Sequence, residues 1–262
     1  MNSETRPIQI AGSGNVAFHL AKRFSESDEV DIVKILARSP NNEELFTSLS
    51  AKIRFSSFDD FDYDIPVTIV SVSDDAIASV ARQFSAYNHL MVHTAGSVSS
   101  TVLKDAGLTA YGSLYPLQTF SVRKMPDWPG TPVFIHAGSE EHKNRLRKIA
   151  HLLSDRVIEA DDEQRLGLHI GAVFANNFSN HLFALASGWL EQKGLDFNYL
   201  LPLIRETVHK LDDLSPYDAQ TGPAVRNDEK VMKKHLEELN GAPWLKEIYQ
   251  LISRSIRQLH SN

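Results

Sequence analysis

The chain has 262 residues, of which 42% are hydrophobic, contains no cysteine and carries a formal net charge of -6. These values exclude disulfides and thiolate metal sites, and the 27 basic against 33 acidic residues give no overall field that would attract nucleic acid. The opening residues lack a signal-peptide core, and no stretch approaches the roughly 18 apolar residues of a membrane span. We therefore expect a cytoplasmic protein without nucleic-acid or membrane partners. The 11 histidines show no paired ligand spacing, so we expect no metal site.

A strand-to-helix turn opens the chain. An apolar run from Ile8 ends at Gly12, and from Val16 the apolar positions recur at helical spacing. In such a turn the first glycine permits the tight bend, the second lets a pyrophosphate approach the backbone, and a small residue at Ala17 lets helix and strand pack closely. The positive end of the helix then faces the anion. The pattern predicts a dinucleotide site at Gly12, Ser13, Gly14, Asn15 and Val16, with a purely structural turn as the alternative.

The end of the second predicted strand, Asp31 to Ala37, indicates which dinucleotide fits. An acidic residue there would bind the ribose 2′-hydroxyl of NAD, whereas an arginine can clamp the 2′-phosphate of NADP. The strand is followed by Arg38 and Ser39, with no carboxylate in reach. We therefore expect NADP, held by these two residues. The alternative is that Arg38 is a solvated loop charge.

Six further strands are predicted before residue 160, with helices near Ala76 and over Glu140–Leu153. The strands are Lys52–Phe55, Pro66–Ser73, His89–His93, one within 108–120, Thr131–Ala137 and Arg156–Glu159. This alternation predicts an α/β fold, with a Rossmann-like doubly wound sheet in residues 1–159. Because ligands bind beyond the carboxyl ends of such strands, Val72 and Ser73 are expected near the cofactor. His93, at a strand end, is either a general acid or, as we favour, a hydrogen-bonded structural histidine.

Residues 160–262 contain no convincing strand and predict an all-helical domain. The expected helices are Asp161–Gln192, Leu200–Thr207, Val208–Leu214, Asp228–Leu239 and Pro243–Leu259. Asp228 is a good N-cap, and Gly241 is a good C-terminal stop for the helix between them. We expect this domain to form the substrate wall and to make a homodimer through the C-terminal helices.

Polar residues interrupt the long apolar helix that starts at Asp161. At 100° per residue Asn176 and Asn180 each lie within about 20° of His169, and Asn177 points about 80° away from it. Such a polar stripe on an apolar helix contacts either water in a cleft or hydrogen-bonding partners in an interface between helices or subunits, and the sequence does not distinguish these alternatives. In a cleft, His169 is a candidate proton donor and an asparagine would orient a small-molecule substrate. Further along, Arg226 beside Asp228 is an anion clamp or an ordinary salt bridge.

Five blocks carry a resemblance to a known family: Gly12–Ala17, His93–Ser97, Gly112–Phe120, Leu168-His169 with Asn177-Phe178, and Thr221–Asp228 with His235-Leu236. The chain resembles the family that joins a Rossmann-like NADP-binding half to a helical C-terminal domain of unassigned function, relatives of deazaflavin-dependent NADP reductases and pyrroline-5-carboxylate reductase. The resemblance implies a dimer packed through the long helix, with motif residues lining a cleft over the nicotinamide.

Two departures from that family affect the site. Many relatives have a histidine where this chain has Tyr115, and a glycine where it has Asn227. No histidine role therefore carries over to position 115, although a tyrosine hydroxyl can replace it as a hydrogen-bond donor. The chain also lacks the Lys-x-x-x-Asn pattern of the hydroxyacid dehydrogenases.

The sequence thus predicts an NADP-dependent oxidoreductase that moves a hydride between nicotinamide and a small carbonyl, an imine or a second redox cofactor. His169 and Asn177 are the expected residues for proton transfer and orientation, with His93, Ser113 and Tyr115 as alternates, and Asn176 and Arg226 as substrate-binding residues. The rival hypothesis is a non-catalytic NADP-binding regulatory protein, because no unmistakable acid–base pair is visible. A methyltransferase is disfavoured because Arg38 stands where a ribose-binding carboxylate is needed.

Overall fold

A computed structural model describes residues 6–260 and contains an eight-stranded sheet. The strand order is β3-β2-β1-β4-β5-β6-β7-β8, and every neighbouring pair is parallel except β6 and β7. The order reverses between β1 and β4, which is the point where doubly wound sheets bind ligands. The predicted Rossmann-like fold is confirmed. The strands are β1 (Arg6–Ala11), β2 (Val30–Leu36), β3 (Ile53–Ser56), β4 (Val67–Val70), β5 (Leu90–His93), β6 (Tyr111–Pro116), β7 (Val133–Ala137) and β8 (Val157–Glu159).

Ten α-helices accompany the sheet in the described chain. The chain divides into two compact units, one ending at Ala175 and the other beginning at Asn176. None of the helices within residues 6–260 is long and apolar enough to cross a membrane. The helices are α1 (Asn15–Ser25), α2 (Glu43–Thr47), α3 (Asp74–Gln83), α4 (Thr101–Asp105), α5 (Glu140–His151), α6 (Asp162–Ala172), α7 (Ser179–Gln192), α8 (Leu201–His209), α9 (Glu229–Glu238) and α10 (Pro243–His260).

The central strands are buried on both faces, as their near-continuous apolar sequences require. All four residues of β4 are buried, and so are the last four of β1. Their side chains feed two apolar clusters on opposite faces of the sheet, since neighbouring residues of a strand point to opposite sides. Ala17 is completely buried in the first cluster. The expectation that a small residue there lets α1 pack closely on the sheet is confirmed.

Some predicted boundaries around β4 and α3 are wrong. The strand ends at Val70 rather than Ser73, and α3 begins at Asp74 rather than near Ala76. The main chain of Ser73 is extended and forms the N-cap, so Asp74 and Asp75 lie in the first turn of the helix. Carboxylates are stabilised there by the positive end of the helix dipole. The acidic pair therefore begins the helix instead of preceding it.

The separate helix predicted over Val208–Leu214 is also wrong. Helix α8 continues to His209, and only a short 3-10 turn, Lys210–Asp212, follows it. Nothing in the sequence at 207–208 caps or breaks a helix, so α8 runs through the predicted boundary. Helix α9 likewise ends at Glu238, before a 3-10 turn that runs to Gly241. The N-cap prediction for Asp228 is confirmed, because its side chain accepts a 3.1 Å hydrogen bond from the N–H of Val231.

Asn227, one of the two departures from the family pattern, has a φ of 51°. This left-handed conformation is strained for most side chains, but glycine adopts it freely and asparagine tolerates it better than other residues do. A glycine in many relatives and an asparagine here therefore meet the same backbone requirement.

The long helix predicted from Asp161 to Gln192 is present but not regular. It starts with a capping box between Asp161 and Gln164. A six-residue π-helical segment, Val173–Phe178, then separates α6 from α7. The wider π turn breaks the 100° period, so the predicted alignment of Asn176 and Asn180 with His169 does not hold. Segments of this kind are frequent at functional sites.

Candidate functional site

The glycine turn lies at the carboxyl end of β1, beside the reversal in strand order. Gly12 has a φ of +130°, and a Cβ there would lie 2.0 Å from the carbonyl oxygen of Ser71. Gly14, the N-cap of α1, is different: it is exposed, and a Cβ would meet nothing within 4 Å. The first turn of α1, all within the described chain, carries no acidic residue. Open space in front of an unneutralised helix N-terminus fits a dinucleotide pyrophosphate.

Neighbouring side chains brace this turn. Asn15 donates a 3.1 Å hydrogen bond to the carbonyl of Phe120, and Asn42 donates one of 2.9 Å to the carbonyl of Ser13. Val16 packs against the apolar core. With these side chains committed to structure, the backbone N–H groups at the start of α1 are the donors that remain for an anion.

The other predicted cofactor residues follow the neighbouring strands at the same edge. Arg38 and Ser39 come just after β2, and both are exposed. The Ser39 hydroxyl accepts a hydrogen bond of 3.3 Å from the N–H of Asn41. After β4, Val72 is half-buried and Ser73 is exposed. The carboxyl ends of β1, β2 and β4 thus present all the predicted cofactor residues.

Tyr115 and His169, which were predicted as separate candidates, form a pair. A 3.1 Å hydrogen bond joins Tyr115 Oη and His169 Nδ1, and the imidazole tautomer decides which atom donates. Both side chains are half-buried. The backbone of Gly96 lies against the imidazole, because a Cβ at that residue would be 2.6 Å from His169 Nδ1. A phenol and an imidazole in contact can deliver or accept a proton at a reacting atom.

On the same helix as His169 lies an ion pair that the sequence analysis did not predict, between the buried Arg165 and the half-buried Asp162. The Arg165 side chain is only 1% exposed; one terminal nitrogen donates to Asp162 Oδ1 at 2.8 Å and to Ser113 Oγ at 2.6 Å. Its other terminal nitrogen donates to the carbonyl of Val98. The sequence feature that could have pointed to Arg165 is its spacing, because it stands four residues before His169 and therefore lies on the same helix face. Ser113, proposed as a catalytic alternate, is committed to this arginine.

Asp162 fixes the loop after β5. Its Oδ2 accepts a 2.8 Å hydrogen bond from the N–H of Ser100 and further bonds from the hydroxyls of Ser99 and Ser100. Burial alone would raise the pKa of Asp162, but hydrogen bonds from Ser99 and Arg165, together with the arginine charge, lower it. The carboxyl group is therefore an anion near neutral pH and the constant partner of Arg165.

His93 is completely buried at the end of β5. Its Nδ1 accepts a hydrogen bond of 3.2 Å from the N–H of Ala95. Burial lowers the pKa of His93 to about 4 and the Arg165 charge also lowers it, against the opposing effects of Asp162, Asp74 and the Ser99 carbonyl. The imidazole is therefore neutral near pH 7. A buried, neutral imidazole is what the favoured structural alternative for His93 requires, and it does not suit a general acid near pH 7.

We expect His93 to make folding stability depend on pH. In the unfolded chain a histidine binds a proton below about pH 6.5, whereas the folded protein keeps His93 neutral down to about pH 4. The stabilisation is present above pH 6.5 and is lost as the pH falls towards 4, by about 3 kcal/mol in total. Urea unfolding at a series of pH values between 7 and 4.5 measures this loss. The free energy of unfolding should fall less steeply with decreasing pH for His93→Gln than for wild type. The exposed control His209→Gln should keep the wild-type slope, and equal slopes in all three proteins would refute the assignment.

The predicted site residues of the second unit are all exposed. Asn176 and Asn177 lie in the π-helical segment, where the side-chain amide of Asn176 donates to Asn177 Oδ1 at 3.3 Å. Arg226 makes no ion pair with Asp228, although both belong to the described chain; Asp228 instead caps α9. The salt-bridge alternative for Arg226 is therefore wrong. All three side chains remain accessible to a ligand.

The second unit also contains a cavity of about 640 Å³. Its walls are mostly aliphatic side chains of α7 and α10, together with Trp189. At its rim a 3.0 Å hydrogen bond joins His235 Nδ1 and Tyr249 Oη, and Lys193 pairs with Glu238 at 3.5 Å. No residue of α7, α8 or α10 is buried in the described chain. These helices therefore leave large apolar faces uncovered.

Comparison with known proteins gives the family. The crystal structure of a Bacteroides fragilis protein, described as a "putative NADP oxidoreductase", matches with a TM-score of 0.87 and 39% sequence identity. The match covers 98% of this chain and 100% of that protein. The chain belongs to the family of that protein. Its residues 131–256 also match the family model described as "Domain of unknown function (DUF2520)".

More distant structures share the fold. A Thermotoga maritima protein has a TM-score of 0.71 at 21% identity, covering 97% of this chain and 98% of its own. A Plasmodium falciparum pyrroline carboxylate reductase, solved with NADP bound, has a TM-score of 0.58 at 14% identity and covers 98% of this chain and 99% of its own. No curated protein matches the sequence. These structures confirm that the chain shares its fold with pyrroline-5-carboxylate reductases, as the sequence resemblance predicted.

Proposed function

We propose that this protein is an NADP-dependent oxidoreductase that moves a hydride between nicotinamide and a small carbonyl, an imine or a second redox cofactor. The observation that carries the proposal is the open space in front of the α1 N-terminus, where a Cβ on Gly14 meets nothing within 4 Å. The Bacteroides fragilis relative is described as a "putative NADP oxidoreductase", and the Plasmodium falciparum structure contains NADP. Both descriptions support the same cofactor here.

The residues divide into binding and chemical roles. A bound nicotinamide dinucleotide supplies or accepts the hydride. The backbone from Gly12 to Val16 binds the pyrophosphate, Arg38 and Ser39 bind the 2′-phosphate, and Val72 with Ser73 forms the wall at the neighbouring strand. Among these residues Arg38, Ser39 and Ser73 are exposed.

Tyr115 and His169 handle the proton that accompanies hydride transfer. The alternates are less suited: His93 is buried and neutral, and the Ser113 hydroxyl is bound to Arg165. The Tyr115–His169 pair is half-buried, so it combines access to a substrate with partial exclusion of water. We assign Asn177 to orienting the substrate, and Asn176 and Arg226 to binding it, because all three present exposed polar groups.

We further propose that the protein is a homodimer through its C-terminal helices. The exposed apolar residues of the second unit include Trp244, which is 78% exposed, as well as Leu203, Val208, Leu251 and Leu259. Surfaces of this extent are rarely left uncovered in a monomer. Sedimentation equilibrium should give twice the chain mass of 29.3 kDa, and a mass of one chain at all concentrations would refute the dimer.

Replacing Arg38 by alanine should weaken NADPH binding without affecting NADH binding. Only NADPH carries the 2′-phosphate, and losing one charge-assisted hydrogen bond costs about 1.5–3 kcal/mol, or about 10- to 150-fold in Kd. Nicotinamide fluorescence titrations of both cofactors measure the difference. Arg82→Ala, at the exposed last turn of α3, is the matched control and should bind both as wild type does. An equal loss for NADH and NADPH, or no loss, would contradict the role of Arg38.

A further inference from the structure

Strand β6 and helix α6 are joined by two consecutive polar contacts. Ser113 meets Arg165 at 2.6 Å, and two residues further along the strand Tyr115 meets His169 at 3.1 Å. Two residues of a strand span about 6.6 Å, and four residues of a helix span about 6 Å. The two elements therefore match in spacing over this distance. When the Ser113–Arg165 contact fixes the position of α6 along β6, the next residue on the same helix face, His169, lies opposite Tyr115.

The same arginine holds the loop on the third side of His169. Arg165 donates to the carbonyl of Val98, and its partner Asp162 accepts from Ser100. Gly96 belongs to this loop, and its backbone lies against the His169 ring. One guanidinium thus touches the strand, the helix turn and the loop that together surround the imidazole. Because it is almost fully buried, its position is fixed by packing as well as by hydrogen bonds.

Arg165 also places a permanent positive charge near the Tyr115 phenol. Burial raises the pKa of Tyr115, and the charge of Arg165 acts in the opposite direction. Other titratable groups of the described chain also lie near Ser113 and Arg165. They include His169 and Asp162 from α6, Asp74 from α3, Tyr111 on the same face of β6, and His93 and His136, which pair with Ser113 from the two neighbouring strands. Arg165 is the cation that stays charged at every relevant pH.

We propose that Arg165 is a positioning residue for the Tyr115–His169 pair, which it holds in register and to which it presents a fixed positive charge. Its guanidinium acts through Ser113, Val98 and Asp162, with which it forms its hydrogen bonds in the described chain, and not through a side-chain hydrogen bond to Tyr115 or His169. The importance of Arg165 for catalysis rests on the proposed function. The hydrogen bonds that link Arg165 to Ser113, and Tyr115 to His169, are present without cofactor or substrate.

Nitrogen-15 NMR of the His169 imidazole tests the proposal at neutral pH. In wild type the hydrogen bond to Tyr115 should bias the ring towards one tautomer, and Tyr115→Phe should remove the bias. Arg165→Met should shift the tautomer ratio towards that of Tyr115→Phe, and Arg165→Lys should retain part of the bias. Should Arg165→Met fail to fold, Ser113→Ala removes only the first contact and should shift the ratio in the same direction. Carbon-13 NMR of the Tyr115 phenol should show its pKa moving upward in Arg165→Met.

The control is Tyr87→Phe, which removes a buried tyrosine hydrogen bond to the Ile65 carbonyl elsewhere in the sheet unit. It should lower stability and leave the His169 tautomer unchanged. Folded Arg165→Met and Ser113→Ala proteins with the wild-type tautomer ratio and Tyr115 pKa would overturn the proposal. Since neither readout needs turnover, a protein that binds no nicotinamide cofactor but shows these shifts would overturn only the proposed function.

Discussion

Replacing Gly12 by alanine is expected to lower the free energy of unfolding by at least about 3 kcal/mol. Two effects combine: a φ of +130° is strained for any side chain, and the new Cβ would lie 2.0 Å from the carbonyl oxygen of Ser71. That oxygen belongs to the backbone that follows the buried strand β4, so it cannot move without disturbing the sheet. Urea unfolding followed by circular dichroism measures the loss.

Gly14→Ala is the matched control for this prediction. Gly14 has a φ of -84°, which alanine adopts freely, and a Cβ there has no neighbour within 4 Å. Its replacement changes only the N-cap residue of α1, which costs at most about 1 kcal/mol. Similar stability losses for the two variants would contradict the distinction between a glycine required by the fold and one that leaves space for a ligand.

Asp162→Ala is expected to cost about 3–5 kcal/mol of folding stability. The substitution leaves the buried guanidinium of Arg165 without its counter-ion, and it also removes the acceptor of the Ser100 N–H. An uncompensated buried charge is the larger of the two penalties. The midpoint of urea unfolding at pH 7, where Asp162 is ionised, is the relevant measurement.

Two further variants separate this mechanism from a general effect at the start of α6. Glu163→Ala removes an exposed carboxylate one residue away, and it should change stability by less than about 0.5 kcal/mol. The double variant Asp162→Ala/Arg165→Met removes both charges, so it should lose less than the sum of the two single losses. Additive losses would show that the two side chains do not act as a buried pair.

Most of the first unit was predictable from sequence because its signals are local. Strands such as β4 are near-continuous apolar runs, and the glycine turn at Gly12 is a short motif with a known backbone requirement. The exposed cofactor candidates could be named because they follow strands whose carboxyl ends share one edge. In the second unit, the helix boundary predicted between Thr207 and Val208 was wrong because no capping or breaking residue marks it.

The chemistry of the site was harder to predict because it depends on long-range register. Tyr115 and His169 are 54 residues apart, and only the packing of α6 on β6 brings them together. The burial of Arg165 was not predicted because a charged residue on a helix usually faces solvent. Its burial depends on hydrogen-bond partners in three separate segments of the chain. The π-helical segment likewise left no distinctive pattern in the sequence, so the angles calculated across it were wrong.

The open space in front of the α1 N-terminus is the proposed binding site of a nicotinamide dinucleotide that serves redox chemistry. The most direct test is a fluorescence titration of wild type and Gly14→Ala with NADPH, after both proteins have been shown to be fully folded under the assay conditions. We predict saturable binding to wild type and at least about 10-fold weaker binding to Gly14→Ala, because the added methyl group fills the space in which the pyrophosphate meets the backbone. Absence of NADPH binding to wild type, or identical affinities for both proteins, would contradict a dinucleotide site at the N-terminus of α1.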